Sequence, residues 1–350
     1  MDPSALHGSG AAAPAAPTVP TNVVGLAPEF TDPLWRIAVR LAPVEVELLR
    51  TGPLRRLHFV THGGASTLTT LQSYSRLEHT LGVFALVAHF RPDDELLRVA
   101  ALLHDIGHLP LSHTFEGVAG LDHHAIGARL LHEDPVRPVL EKYGVCVDAV
   151  AAVLGNEPVS PLTNRAGGLL NLDHLDSYVR SGRAAGRLDM DPAALLGRLD
   201  VVDAAVSTDR ATAAVLVGLV AAEARLHTAW DNVGPVSVLR RLVVRLLDDP
   251  AAPSPERLAR MTDPQLWTTL DACAATREES ARIRYEPHRL EVTTGRTERD
   301  GWDGWGFALR KIYRSAPLVA GARLETSAPD LAAELAALGT LPLAFRVRWT

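Results

Sequence analysis

VAALLHDIGHLPLSHTFE, residues 99–116, places His104 and Asp105 at the end of a strongly apolar helical run and follows them with His108, His113 and Glu116. An ionisable pair in such a helix is expensive to bury unless it is paired or coordinates a metal. Histidine offers a neutral imidazole nitrogen and aspartate a hard anionic oxygen. That mixture suits one divalent transition ion, Mn, Fe, Co, Ni or Zn, with Mg also admissible. Adjacent helix positions point about 100° apart, so His104 and Asp105 share an ion only over the helix edge, and other ligands must come from neighbouring helices. His79, in SRLEHTLG, is the candidate on one side. An aspartate of LDHLDSY, Asp173 or Asp176, is the candidate on the other.

Working outward, residues 32–249 keep a mainly helical apolar spacing, with Leu, Ala and Val returning every three or four positions and breaks at Gly and Pro. Asp32-Pro33 reads as a cap and first turn leading into LWRIAVRL, and Ala42-Pro43 opens a second helix before Gly52. HFVTHGGAS is a loop by composition. SRLEHTLGVFALVAHF reads as a helix capped near Ser75, and DDELLRVAALLHDIGH as one running from after Pro92 to before Pro110. Further helices are expected at HHAIGARLLHE, VDAVAAVLG, GGLLNLDHLDSYVRSGRAAG, the run after Arg210 and VSVLRRLVVRLLDD. A Pro-rich joint, DDPAAPSPERL, then precedes two more helices and the strand-like segments RLEVTTG and LAFRVRWT. The expected organisation is a tail over residues 1–22, an all-α core over 23–249, and a small α+β extension over 250–350.

Hydrophobic residues make up 47% of the 350 and charged residues 22%, which excludes global disorder. The 41 acidic against 35 basic residues give a net charge of -6, so no overall positive field gathers nucleic acid, and no DNA-binding motif is present. Cys146 and Cys273 are too few for a disulfide framework or thiolate cage and read as buried thiols of a cytoplasmic protein. The longest apolar run, residues 211–222, spans 12 residues, short of the roughly 20 that a bilayer crossing needs, and the N-terminus lacks the pattern of a secretory signal. No membrane association is expected. No glycine-rich loop ends in Gly-Lys-Ser/Thr, which argues against a P-loop NTPase. Taken singly, His58, His62, His89 and His132 read as satisfied core residues, and Trp230 and Trp305 as core filling.

The motifs RLEHTLGV, ALLHDIGHLPLSHTFE, DHHAIGARLL and LDHLDSYVR, in that order over roughly residues 33–247, resemble the successive motifs of HD-domain metal-dependent phosphohydrolases. They look most like the branch that contains deoxynucleoside triphosphate triphosphohydrolases. The resemblance implies an all-α HD-domain helical core with metal ligands His79, His104, Asp105 and Asp173, and leaves Asp176 as a structural hydrogen-bond partner. It also implies phosphate contacts or orienting roles for His108 and His113, and a general acid/base pair of His124 with Glu116. Arg76, three residues before His79 on the same helix face, would grip a phosphate. The implied reaction is hydrolysis of a phosphoester or phosphoanhydride of a nucleotide by a metal-activated water. The implied partner is a phosphorylated small molecule, and homo-oligomers are a fair expectation.

The triphosphate-cleaving branch carries a lysine, a tyrosine and a further aspartate where this chain has His174, Ser177 and Ser181. A fixed positive charge and an aromatic wall are thereby lost. His174 and Tyr178 remain as substrate-side candidates, Tyr178 either against a base or ribose or within the core. Arg180, Arg183 and Arg187 either restore charge at the pocket mouth or form a solvated face. The alternatives to a triphosphohydrolase are a nucleotide monophosphatase and a non-catalytic nucleotide-sensing module.

Overall fold

The computed structural model describes residues 27–164, 166–295 and 303–350; the tail expected over residues 1–22 lies outside them. The backbone is mostly helical, around the helix Arg76–Phe90. Ser75 caps that helix by accepting from the Glu78 N–H, while the Glu78 carboxylate accepts from the Ser75 N–H. This reciprocal pair satisfies two otherwise orphaned donors. The helix is buried nearly all round, Leu77, Leu81, Val83, Phe84, Leu86 and Val87 included, as befits a central helix rather than a surface one. It lies between the helices Glu95–Leu103 and Leu172–Ala184. The second contact needs Gly82, because a Cβ there would collide with the Arg180 guanidinium and the Asp176 carboxylate.

The helix expected to reach Pro110 ends earlier, at Leu103, with His104 as its cap. Beyond it the chain tightens into turns, with the Ile106 N–H bonded to the Leu103 carbonyl and the His108 N–H to that of Asp105. Leu111 and Ser112 then take φ of +53° and +52°. Leaving the helix lets His104, Asp105 and His108 aim at different points of one cleft. Gly107 sits where the chain meets the start of the helix His123–Leu131, and a Cβ would strike the His123 carbonyl and the Gly127 backbone.

The strands are β1 (Glu29–Thr31), β2 (Ala38–Arg40), β3 (Leu199–Val202), β4 (Ala205–Thr208), β5 (Leu290–Thr294), β6 (Trp305–Ala308), β7 (Leu318–Val319) and β8 (Ala344–Trp349). Two departures from the expected all-α core follow. The helix expected after Asp32-Pro33 is instead the β1–β2 hairpin. The Asp32 carboxylate accepts from the Leu34 and Trp35 N–H groups, and burial then alternates through Ile37, Val39 and Leu41, the period of a strand. The second departure is the β3–β4 hairpin, whose β4 pairs in parallel with β7 from the C-terminal hundred residues. RLEVTTG and LAFRVRWT form the expected strands, as β5 and β8, in antiparallel register from Leu290↔Trp349 to Thr294↔Phe345, with β6 on the other side of β8.

Other expectations shift toward the surface. Cys146 is exposed, at the start of the helix Val147–Leu154, and Cys273 is half-buried with its thiol 3.5 Å from the Asp249 carboxylate. His58, His89 and His132 are exposed, because each stands at or past a helix end rather than on an inward face. Trp230 and Trp305 are only partly buried, packed at the margin of the core. No single helix among the described residues is long and apolar enough to cross a membrane.

Candidate metal centre

Four ligand atoms from three stretches of chain converge. His79 comes from the first turn of the Arg76–Phe90 helix, His104 and Asp105 from the turn after Leu103, and Asp173 from the first turn of the Leu172–Ala184 helix, which Asn171 caps by accepting from the His174 N–H. His79 Nε2 lies 3.1 Å from Asp173 Oδ1 and 3.7 Å from Asp105 Oδ2, and His104 Nε2 lies 3.4 Å from Asp105 Oδ2 and 4.0 Å from Asp173 Oδ1.

The tautomers test whether this quartet fits an ion. His104 Nδ1 donates to the Ala101 carbonyl at 2.7 Å, which leaves Nε2 as the lone-pair nitrogen. That Nε2 is buried and has no hydrogen-bond partner, a costly orphan in a folded protein unless something else meets it. His79 Nδ1 lies 2.9 Å from Asp176 Oδ2. An imidazole that gives its far N–H to a carboxylate and turns the other nitrogen to a cation is the usual support for a metal-binding histidine. The residues fit a divalent ion.

Asp176 is itself held. It accepts from Trp35 Nε1 at 2.7 Å and twice from Arg180 at 2.9 Å, and Arg180 reaches on to Asp32 at 3.0 Å. Burial disfavours the Asp176 carboxylate, but Arg180 and the hydrogen bond from His79 outweigh it and bring its pKa down to about 2. Burial likewise disfavours the His79 imidazolium, yet hydrogen bonds to Asp173 and Asp176 with the Asp105 charge raise its pKa to about 9. Asp105 remains a carboxylate despite burial, because His104, His108 and Arg76 surround it.

A second group adjoins the first through Asp105, whose Oδ1 lies 3.1 Å from His108 Nε2. Ring nitrogens of His108, His113 and His123 lie within 4.8 Å of one another. Burial, and after it the Arg76 charge, holds His108 well below the ordinary imidazole pKa, so it is neutral, whereas His113 is exposed. Glu116 Oε2 accepts from His123 Nδ1 at 2.8 Å. The expected partner, His124, is the next residue, exposed, with its ring tilted by 39° against that of His123, centroids 3.9 Å apart. Asp122 caps the helix by accepting from the Ala125 N–H, which makes His123 the first helical residue, and one step further turns His124 about 100° away. The spacing of DHH around that cap carried the signal.

Arg76 is buried and already occupied: it donates to Asp105 at 3.2 Å, Ser112 at 3.2 Å and the His62 carbonyl at 3.0 Å. It braces the Asp105 carboxylate beside the cleft. His62 is the one inward member of the four histidines read as core, stacked on Tyr74 and tilted against His79. His174 Nδ1 lies 2.7 Å from Ser315 Oγ. Tyr178 is 6% exposed, a core position behind His174. Arg180 is buried in the Asp176–Asp32 network, while Arg183 and Arg187 are exposed. Trp35, Asp32 and Ser315 have no signal in the local sequence, because each meets its site residue from more than a hundred positions away.

The HD-domain family profile matches residues 76–196, the stretch that carries all four converging ligands. A metal-dependent phosphohydrolase of Cordyceps militaris is 28% identical over 274 residues, 74% of this chain and 76% of that protein. The human deoxynucleoside triphosphate triphosphohydrolase is 26% identical over 151 residues, which span 35% of this chain and 24% of the human protein. A phosphohydrolase of Bacteroides thetaiotaomicron shares the fold with a TM-score of 0.66 at 16% identity, over 92% of this chain and 99% of that one. Residues 76–196 carry an HD domain, and metal-dependent phosphohydrolases and deoxynucleoside triphosphate triphosphohydrolases are among the proteins that this chain is similar to.

Proposed function

We propose that this protein hydrolyses a phosphoester or phosphoanhydride of nucleotides, in the manner of a triphosphohydrolase, with His79, His104, Asp105 and Asp173 holding one divalent ion. The observation that carries the reading is the convergence of those four ligand atoms around an orphaned His104 Nε2, with the His123–Glu116 pair alongside. A divalent ion held there supplies Lewis-acid polarisation of a phosphoryl oxygen and lowers the pKa of water.

The chain's own residues do the rest. Glu116 fixes the His123 ring with Nδ1 toward the carboxylate, so that Nε2 is the atom that exchanges a proton with the leaving oxygen. His113 stands exposed at the cleft with a ring N–H to offer a phosphate, while His108 gives its Nε2–H to Asp105 and helps to hold that ligand. Arg76 keeps Asp105 ionised and aimed. The monophosphatase reading has one observation in its favour: His174, in the place of the branch's lysine, is engaged with Ser315.

Purified protein incubated with Mn and, separately, dNTPs, NTPs and nucleoside monophosphates separates these. Tripolyphosphate release supports the leading reading and orthophosphate from monophosphates the second. Phosphate release that is unchanged by Asp105→Ala removes the assigned site altogether.

A further inference from the structure

The segment 309–316 follows β6, runs over the cleft and is pinned at both ends. The Leu309 N–H bonds to the Leu343 carbonyl, and at the far end Ala316 exchanges backbone hydrogen bonds with Gly168 and Leu170, each at 2.8 Å. Between these anchors Ser315 meets His174, the neighbour of the ligand Asp173, and the Tyr313 ring stands edge-on to the His174 ring at 5.6 Å. Lys311 Nζ sits over the Tyr313 ring, 4.5 Å from its centroid. The Arg310 guanidinium lies over Gly117, 3.8 Å from where a Cβ of that residue would stand, beside the Glu116 that orients His123. One short strap therefore touches both the Asp173 and the Glu116 sides of the centre.

Its charge is unbalanced. Arg240, which donates to the Thr114 and Glu116 carbonyls at 3.0 and 2.9 Å, is pushed down in pKa by burial and then by the Arg310 charge. Among the described residues Arg240, Arg310 and Lys311 form no salt bridge, Arg240 having only the more distant Glu116 carboxylate as a counter-charge, whereas Arg98, Arg180, Arg210, Arg260 and Arg348 are each ion-paired. Like charges gathered with one distant carboxylate between them, in a chain of net charge -6, are stabilised when an anion joins them.

We propose that the strap is the polyphosphate-recognition element of this site: Arg310 and Lys311 take the phosphates distal to the scissile bond, and Tyr313 and Ser315 position the strap against His174. The inference rests on the nucleotide-hydrolase reading and names what that site selects, a chain of phosphates rather than a single one. It supplies from the C-terminal segment the positive charge that His174 does not.

The test uses the metal-free full chain, so it needs no turnover. Lys311 is one of two lysines, the other being Lys142, which is paired with Glu47 on the surface. Limiting amine acetylation mapped by mass spectrometry should find Lys311 protected by inorganic tripolyphosphate but not by orthophosphate, with Lys142 unaffected by either. The double variant Arg310→Ala/Lys311→Ala, at two exposed positions, should bind tripolyphosphate roughly 10- to 100-fold more weakly, the loss of one or two charge-assisted hydrogen bonds, and orthophosphate within about threefold of the parent. Lys311→Arg should restore most of the affinity. Equal labelling of Lys311 with and without tripolyphosphate, or a double variant that binds it as the parent does, overturns the proposal. Absence of nucleotide turnover with these binding results intact would sink the hydrolase reading and leave the strap standing.

Discussion

Asp176→Asn tests how the centre is built without touching a ligand. In the native protein one Asp176 oxygen accepts from His79 Nδ1 and Arg180 Nε, and the other from Trp35 Nε1 and Arg180 Nη2. An amide has one oxygen, so whichever way it turns, its NH2 faces two of those donors. If the NH2 faces His79, the ring relieves the clash by moving its proton to Nε2, the atom that must stay bare to bind an ion. If it faces Trp35, an indole N–H and a guanidinium N–H are left opposed. Arg180 meanwhile keeps only Asp32 as counter-charge. Removing one partner of a buried, hydrogen-bonded charge pair costs about 3–5 kcal/mol, and loss of a metal ligand's carboxylate support typically weakens metal affinity about 10- to 100-fold. Calorimetric unfolding gives the first quantity, and titration of Mn or Zn into metal-free protein gives the second. Asp176→Glu, which keeps the charge, separates loss of orientation from loss of charge. A folded Asp176→Asn protein that binds metal as tightly as the parent would refute the orientation argument.

Three further outcomes are expected. His123→Ala should lower kcat about 10²- to 10⁴-fold, the range for loss of a general acid, and Glu116→Gln should lower it in the same direction, while His124→Ala stays within about threefold by phosphate-release assay; the opposite ranking would return the proton-transfer role to His124. In metal-free protein His79 has a folded pKa near 9 against an ordinary 6.5, so its stabilising contribution is complete below 6.5 and lost as pH rises through 9. Asp176, at about 2 against 3.8, contributes above 3.8 and loses that contribution as pH falls through 2. The Tm of EDTA-treated protein should therefore drop between pH 6.5 and 9, and a flat profile there would show that His79 is not held as an imidazolium. Gly107→Ala should destabilise by about 1–3 kcal/mol or more, the cost of overpacking, because backbone on both sides bars relief; a Tm equal to the parent's would mean that the turn and the His123 helix slide apart freely.

Much of the centre was legible from residue chemistry alone. An ionisable pair closing an apolar run, with histidine and aspartate at helix-compatible distances on either side, left few arrangements other than a shared cation, and the fold sets Asp173 against His79 Nε2 and Asp176 against Nδ1. What spacing did not reveal was phase. His123 and His124 are chemically identical, and only the Asp122 cap, which sets where the helix starts, decides which of them faces Glu116. The Asp32–Pro33 turn misled for a related reason. LWRIAVRL satisfies a helical period loosely and a strand period well, and the Asp32 side chain bonds its own turn rather than a helix start. Arg180 had two sequence readings, pocket charge or solvated face, and took neither, since its partner Asp32 stands 148 positions away.

The same long-range contacts explain why this centre tolerates so many histidines and carboxylates in one buried place. Arg76 offsets Asp105, and Arg180 is shared between Asp176 and Asp32. That leaves Asp173 without an arginine of its own and one further negative charge undivided between Asp176 and Asp32, next to a ring that in the metal-free state takes up a proton. A divalent ion and the His79 proton are therefore alternatives for the same excess of negative charge. The rim carries the opposite excess, in Arg240, Arg310 and Lys311. A ligand that bridges the two must bring negative charge outward from the ion to the rim, and a linear polyphosphate has that shape, whereas a single phosphate engaged at the ion leaves the rim cations unanswered.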